Sequence, residues 1–175
     1  GFESDFSVID HYQGKVFVLT NYNAPNQQLM VFDPTKPQLE NWQTLIPETE
    51  NVLESASIIG GKLFLNYLQD ASHHLYAYDT NGKKLFEIEL PTIGTVGISG
   101  NMDENEAFYT FTSYTFSPTI YRYVVAENKA ELFRKSEVSF NSDDYVSEQV
   151  FYTSKDGTKV PMSITYKKGM KRNGK

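Results

Sequence analysis

The stretch of sequence that decides the fold is GKLFLNYLQDASHHLYAYD, residues 61–79. Two similar stretches flank it, GKVFVLTNYNAPNQQLMVFD at residues 14–33 and NEAFYTFTSYTFSPTIYRYV at residues 105–124. The apolar cores of the three copies begin 47 and then 44 residues apart. A repeat of this length, built from short strands and tight turns, is typical of β-propeller blades. Because blades stack into closed rings, three blades indicate part of a larger propeller.

Each copy predicts four strands, and the middle copy shows them most completely. The dipeptides Gly60-Gly61 and Asn81-Gly82 favour tight hairpins, and they separate apolar runs that alternate or are apolar on both faces. The predicted strands are residues 52–59, 62–69, 74–79 and 84–90 in the middle copy, 6–9, 15–20, 28–32 and 42–46 in the first, and 95–99, 107–112, 119–125 and 130–133 in the third. The chain is therefore predicted to be all-β.

The repeat stops at a polar segment, SEVSFNSDD, residues 136–144, which predicts a linker. Beyond it, residues 148–154 and 159–167 flank Asp156-Gly157 and predict a separate hairpin. We therefore predict a partial propeller over residues 1–140 and a second, truncated domain over residues 141–175. We therefore expect the chain to be truncated at its C-terminal end.

Composition excludes several classes of function. The net charge is −6, and lysines and arginines are scattered singly, so nucleic acid is not an expected partner. Apolar runs are too short to cross a bilayer, so no membrane partner is expected. There is no cysteine, which excludes disulfides and a thiol nucleophile. A soluble protein is expected, and the cytoplasm and the periplasm both remain open.

The residues after the linker carry a family resemblance. Residues 149–169, QVFYTSKDGTKVPMSITYKKG, closely resemble the junction between propeller and catalytic domain in the prolyl oligopeptidase family of serine peptidases, and SKDGTKVPM at 154–162 is close to a family signature. Residues 111–121 resemble the last blade of these proteins and residues 2–34 resemble an earlier one. The resemblance implies a seven-bladed propeller capping an α/β-hydrolase domain, which cleaves short peptides after proline with a Ser-Asp-His triad.

By this resemblance the chain holds three later blades and the first hairpin of the hydrolase domain. The family's triad would then follow Lys175, and its substrate-contacting propeller residues would precede Gly1. We therefore predict no catalytic, cofactor-binding or metal-binding residue in this chain, and an inactive piece that gates access to the active site. The expected partners are proline-containing oligopeptides for the full-length parent, the missing blades and hydrolase domain, and further copies of the chain through exposed blade faces.

Two other hypotheses compete with that of a peptidase fragment. One is a stand-alone β-propeller binding module that lost its hydrolase, and the other is an unrelated structural array of blades. The segment at 154–162 argues against both, because it resembles the hydrolase side of the family. Fold alone does not choose between them, since propellers serve many functions.

Five groups of residues could suggest chemistry of their own. Gly97-Ile98-Ser99-Gly100 lacks the spacing of a hydrolase nucleophile elbow and predicts a blade turn. His73 and His74 are adjacent in a strand and point to opposite faces, which predicts solvated hairpin residues rather than a metal site with Asp70.

Of the remaining three groups, two are acidic and one is aromatic. The acidic cluster Asp103, Glu104 and Glu106 lacks the pattern of a calcium loop and predicts a solvated hairpin tip. Asp143-Asp144 similarly predicts solvated linker residues. The tyrosines of the strands are expected to pack between blades; they are Tyr76, Tyr78, Tyr109, Tyr121 and Tyr123.

Overall fold

The computed structural model describes residues 3–139, 141–171 and 173–174. Over these residues the protein consists of three four-stranded antiparallel sheets and a two-stranded hairpin. The first sheet contains β1 (Phe6–Tyr12), β2 (Lys15–Thr20), β3 (Gln28–Phe32) and β4 (Gln43–Ile46); the second β5 (Val52–Ile59), β6 (Lys62–Gln69), β7 (Ser72–Tyr78) and β8 (Lys84–Ile88); the third β9 (Thr95–Gly100), β10 (Glu106–Thr112), β11 (Thr119–Val124) and β12 (Lys129–Lys135). The hairpin pairs β13 (Tyr145–Thr153) with β14 (Lys159–Lys167).

In each sheet the strands are neighbours in chain order, as in a propeller blade. The predicted all-β architecture of three blades and a hairpin is thus confirmed. Short 3₁₀ turns lie at Leu39–Asn41 and Ser142–Asp144. The described residues of the predicted linker, 136–139 and 141–144, contain the second of these turns and no strand. Phe140, which ends the predicted first domain, lies outside the described residues, as do Arg172 and Lys175 of the basic tail.

Several strand ends differ from the prediction, and the turns explain two of them. β1 continues to Tyr12 rather than ending at residue 9, because Gln13 and Gly14 form a tight turn with φ values of 49° and 75°. β7 begins at Ser72 rather than residue 74, because Asp70 and Ala71 form a similar turn with φ values of 48° and 60°. Neither Gln13 nor Ala71 belongs to the residue types that signal left-handed turns.

The apolar core lies between the blades. One cluster joins the first and second blades through residues such as Phe17, Leu29 and Leu63. The other joins the second and third through residues such as Phe64 and Tyr123, whose rings meet edge to face at 5.9 Å. Each blade is therefore stabilised chiefly by its neighbours, which is the packing expected of strands that are apolar on both faces.

Turns at one end of the blades also bond to one another. The backbone N–H groups of Gly60 and Gly61 donate to the carbonyls of Asn101 and Met102, at 3.2 and 3.1 Å. Lys62 Nζ donates to the carbonyl of Val125 at 2.7 Å. These bonds cross from the second to the third blade and fix the stacking of the two sheets.

The acidic cluster is only partly a hairpin tip. Asp103 and Glu104 are exposed in the turn between β9 and β10, as predicted. Glu106 instead begins β10, is half-buried, and its carboxylate pairs with the guanidinium of Arg122 on β11. The prediction for Glu106 was wrong because the strand begins one residue earlier than its apolar pattern indicates.

Candidate functional site at the junction of blades and hairpin

The hairpin rests on loops at one end of the second and third blades. The side chain of Gln149 donates to the carbonyl oxygen of Asp70, in the turn between β6 and β7. The hydroxyl of Ser147 lies 3.2 Å from that of Thr115, in the loop between β10 and β11. Ser147 also lies 3.0 Å from the hydroxyl of Thr165 on β14. One strand, β13, therefore contacts two blades.

A cleft of about 310 Å³ lies beside these contacts. Blade loops form one wall with Ile93, Gly94 and Tyr114, and the hairpin forms the other with Glu148 and Ser163. Tyr114 is 83% exposed. Most of the lining residues carry a hydroxyl, and Glu148 supplies a carboxylate. Hydroxyls can both donate to and accept from a neutral peptide chain.

Next to the cleft, His73 joins the second blade to the third. Its ring Nδ1 lies 3.2 Å from the backbone nitrogen of Val96 and 3.1 Å from the amide nitrogen of Asn66. Its Nε2 lies 3.0 Å from a carboxylate oxygen of Glu54. The Val96 carbonyl, 2.9 Å from the same Nδ1, also accepts from the Asn66 amide at 2.9 Å. The Val96 N–H donates to Nδ1, and the Glu54 carboxylate faces Nε2, so the ring of His73 links β5 to the third blade.

The prediction of two solvated histidines was therefore wrong for His73. Its side chain is only 14% exposed, and its backbone N–H donates to the carbonyl of Gly94 at 2.9 Å. His74 lies 2.8 Å from Glu87 with its side chain 33% exposed. The two rings have different partners, as strand alternation requires. No group of three or more histidines and carboxylates that could hold a metal occurs among the described residues.

Replacing His73 by Ala should lower the free energy of unfolding by about 1–3 kcal/mol, because it leaves the Val96 N–H without its side-chain acceptor and removes the ring contact with Asn66. The same change at His74, whose partner Glu87 is partly exposed, should cost less than about 1 kcal/mol. Urea denaturation of the two variants measures the difference. Equal losses of stability would contradict the bridging role of His73.

The other candidates prove to be structural. Gly97-Ile98-Ser99-Gly100 lies within β9, paired residue by residue with β10, so the predicted turn was wrong. The tyrosines pack between strands and blades as expected, and burial raises the pKa of Tyr109 and of Tyr123 to about 12. Such phenols stay neutral at physiological pH. Asp143 and Asp144 lie in the short turn before β13.

The contacts of Gln149, Thr115 and Ser147 were not predicted. No motif surrounds these residues, and each contact joins parts of the chain that are far apart in sequence, 79 residues for Gln149 and Asp70. The only hint was the resemblance of residues 149–169 to a domain junction.

Comparison with known proteins decides the family. Residues 1–136 match the family model described as the N-terminal β-propeller domain of prolyl oligopeptidase. The chain belongs to the prolyl oligopeptidase family. The resemblance noted in the sequence is thus confirmed. Within the family, the whole chain is 42% identical to the prolyl endopeptidase of Elizabethkingia meningoseptica, and 98% of it is 39% identical to a prolyl oligopeptidase of Omphalotus olearius.

Solved structures of this family have the same fold. A structure from a study of two prolyl endopeptidases superposes with a TM-score of 0.88 at 38% identity, covering 98% of this chain and 26% of that one. Prolyl oligopeptidase B from Galerina marginata, free of ligand, superposes at 0.85 with 26% identity over 96% of this chain and 25% of its own. The chain spans 25% and 24% of the length of the Elizabethkingia and Omphalotus relatives.

Among the described residues, no helix is long and apolar enough to span a membrane.

Proposed function

We propose that this chain is the propeller part of a serine-type prolyl endopeptidase, which cleaves short peptides on the carboxyl side of proline. The observation that carries the proposal is the continuity of the match. Sequence identity to a prolyl endopeptidase extends over the whole chain, past the family propeller model and through the hairpin. The chain contributes no catalytic group, and the triad belongs to the rest of the enzyme.

The role of the blades in this proposal is to limit access. The three sheets form a continuous wall because their apolar core lies between them, and the hairpin rests on their loops beside an open cleft. A wall that must move before substrate enters selects short peptides over folded proteins. We propose residues 136–144 as one of the chain segments that form the hinge; the described residues of this segment form no β-strand.

The proposed division of the chain follows from the same features. The third blade ends with β12 at Lys135, and the hairpin begins at Tyr145. We place the propeller at residues 1–140 and the start of the hydrolase domain at residues 141–175. The contacts of β13 with the blades are then contacts between domains.

A stand-alone binding module is not favoured. Such a module needs only blades, whereas this chain continues with a hairpin whose segment is retained in prolyl endopeptidases over the full alignment.

The test is to read the coding frame beyond the codon for Lys175, express the complete product, and assay it. We expect a serine elbow followed by Asp and His, and cleavage of a short chromogenic peptide after proline. The matched control is the same peptide with alanine in place of proline, which should be cleaved far more slowly, and a folded protein should resist. A stop codon directly after Lys175, or equal cleavage of both peptides, would overturn the proposal.

The chain alone is expected to self-associate through the open face of its third blade. On this face Phe108 and Phe133 meet edge to face at 5.0 Å, and Phe133 is 60% exposed. Exposed apolar surface of this kind favours association. Replacing Phe133 by Lys should weaken self-association at least about tenfold, whereas Tyr114→Lys, on the junction loop, should not. Light scattering over a concentration series measures both, and a chain that stays monomeric at high concentration contradicts the expectation.

A further inference from the structure

Two side chains that join hairpin and blades lie on one face of β13. Ser147 and Gln149 are two residues apart in the strand, so they project to the same side. They meet different blades: Gln149 donates to the carbonyl of Asp70 in the second, and Ser147 contacts the hydroxyl of Thr115 in the third. Two anchor points on separate blades fix the position of the strand and also its direction.

Both anchor points are preorganised on the blade side. The turn that carries Asp70 is closed by the Ser72 hydroxyl, which donates to the carbonyl of Gln69 at 3.0 Å. Thr115 is only 7% exposed, and its backbone N–H donates to the Ser113 hydroxyl at 3.3 Å. The hairpin therefore docks on groups that need no reordering, which lowers the entropic cost of closing.

The hairpin side of one anchor is also preorganised. The Ser147 hydroxyl lies 3.0 Å from that of Thr165, on the partner strand of the hairpin. A line of three hydroxyls thus runs from the third blade through β13 to β14. The hairpin has its own complete ladder of nine residue pairs, so it can leave the blades without losing a backbone bond of that ladder.

The two hydrogen bonds between hairpin and blades are weak enough to break reversibly. Both are between neutral groups, and a neutral hydrogen bond contributes only about fivefold to an equilibrium once competing water is counted. Two such bonds hold a joint closed most of the time without locking it. Because neither anchor carries a charge, salt should change their strength little.

We propose that Gln149, Ser147 and Thr115 form a neutral latch that holds the hairpin against the second and third blades and releases it as a unit. The inference rests on the proposed function for its purpose, since release of the latch would widen the cleft between Tyr114 and Ser163 through which a peptide passes. The docking of the hairpin on the blades can be measured without any catalytic activity. Opening and closing of the hairpin is a property of this chain.

The test uses the absence of cysteine in the chain. Thr115→Cys keeps a small side chain with a weak donor and acceptor at the third-blade anchor, and it places a single thiol where the threonine is 7% exposed. The rate at which a chromogenic aromatic disulfide labels this thiol reports the open fraction. Adding Gln149→Glu, which sets a carboxylate against the Asp70 carbonyl, should raise that rate roughly fivefold to tenfold. Gln149→Met, which only removes the donor, should raise it by a smaller factor.

The matched control is Gln43→Glu, the same change at an exposed glutamine of β4 in the first blade, which should leave the rate unchanged. Labelling should also be alike at low and high salt. Equal rates in the Gln149 and Gln43 variants would overturn the latch, as would labelling of the Thr115→Cys reference at the rate of a free thiol. An enzyme that fails to cleave proline peptides would refute the proposed function and leave the labelling result standing, so the two failures are distinguishable.

Discussion

Replacing Phe64 by Ala is expected to lower the free energy of unfolding by about 3–5 kcal/mol, because the substitution removes a ring from the interior and leaves a cavity. Phe64 lies in β6, is 1% exposed, and belongs to the cluster between the second and third blades. Its ring meets that of Tyr123 across the blade boundary. The loss therefore weakens both the second sheet and its attachment to the third.

Urea denaturation followed by circular dichroism measures the effect. The control is Phe151→Ala, which removes the same side chain from a position in β13 that is 49% exposed, and should cost about 1 kcal/mol or less. If the two variants lost similar stability, the inter-blade cluster would not be the core that holds the sheets together. Phe64→Leu should fall between them, since it retains part of the apolar volume.

The blades could be predicted because their signals are local. The strands β2, β3, β5 and β6 have the bounds that the apolar runs indicate, and the turns at Gly60-Gly61 and Asn81-Gly82 lie where the dipeptides favour hairpins. A period near 45 residues then identifies the blade without any tertiary information. Bounds failed where a turn used residues without a turn signal, as at Asp70 and Ala71.

The junction could not be predicted because its contacts are not local. Nothing in the sequence around His73 indicates that its ring accepts a hydrogen bond from the backbone N–H of Val96, which lies 23 residues later, in the next blade. The two histidines are identical as sequence, and only the stacking of the third blade on the second buries one of them. The contact of Gln149 could not be predicted either. Its acceptor is the backbone carbonyl of Asp70, which any residue type at that position would provide.

The blades could be predicted and the junction could not for one physical reason. Propeller blades repeat because each must present apolar strands to its neighbours, so the same apolar strand pattern recurs in every copy. The junction occurs once, so no second copy of its pattern exists for comparison. Residues at such a place are polar and partly exposed, and their sequence resembles that of any surface loop.

Gly94→Ala is expected to destabilise the protein by about 3 kcal/mol, the upper part of the range for overpacked positions. Gly94 lies in the connection between β8 and β9, against the end of β10. A methyl group there would overlap the carbonyl oxygen of Thr112 and lie 2.6 Å from Cζ of Phe111, whose side chain is fully buried. Neither neighbour can move freely, because one is backbone and the other is held in the core. The displaced connection would also strain the bond from the His73 N–H to the Gly94 carbonyl.

Gly97→Ala is the matched control, three residues along the chain and within β9. A methyl group at Gly97 meets nothing within 4 Å, and the backbone there is not left-handed. Removing a glycine from a strand reduces the freedom of the unfolded chain, so this variant should be unchanged or more stable by up to about 1 kcal/mol. Thermal unfolding of the two alanine variants compares them directly, and a loss of stability at Gly97 as large as at Gly94 would contradict the close approach. Because Gly94 also lines the cleft, its variant should in addition label faster in the Thr115→Cys background, which links the packing of the third blade to the docking of the hairpin.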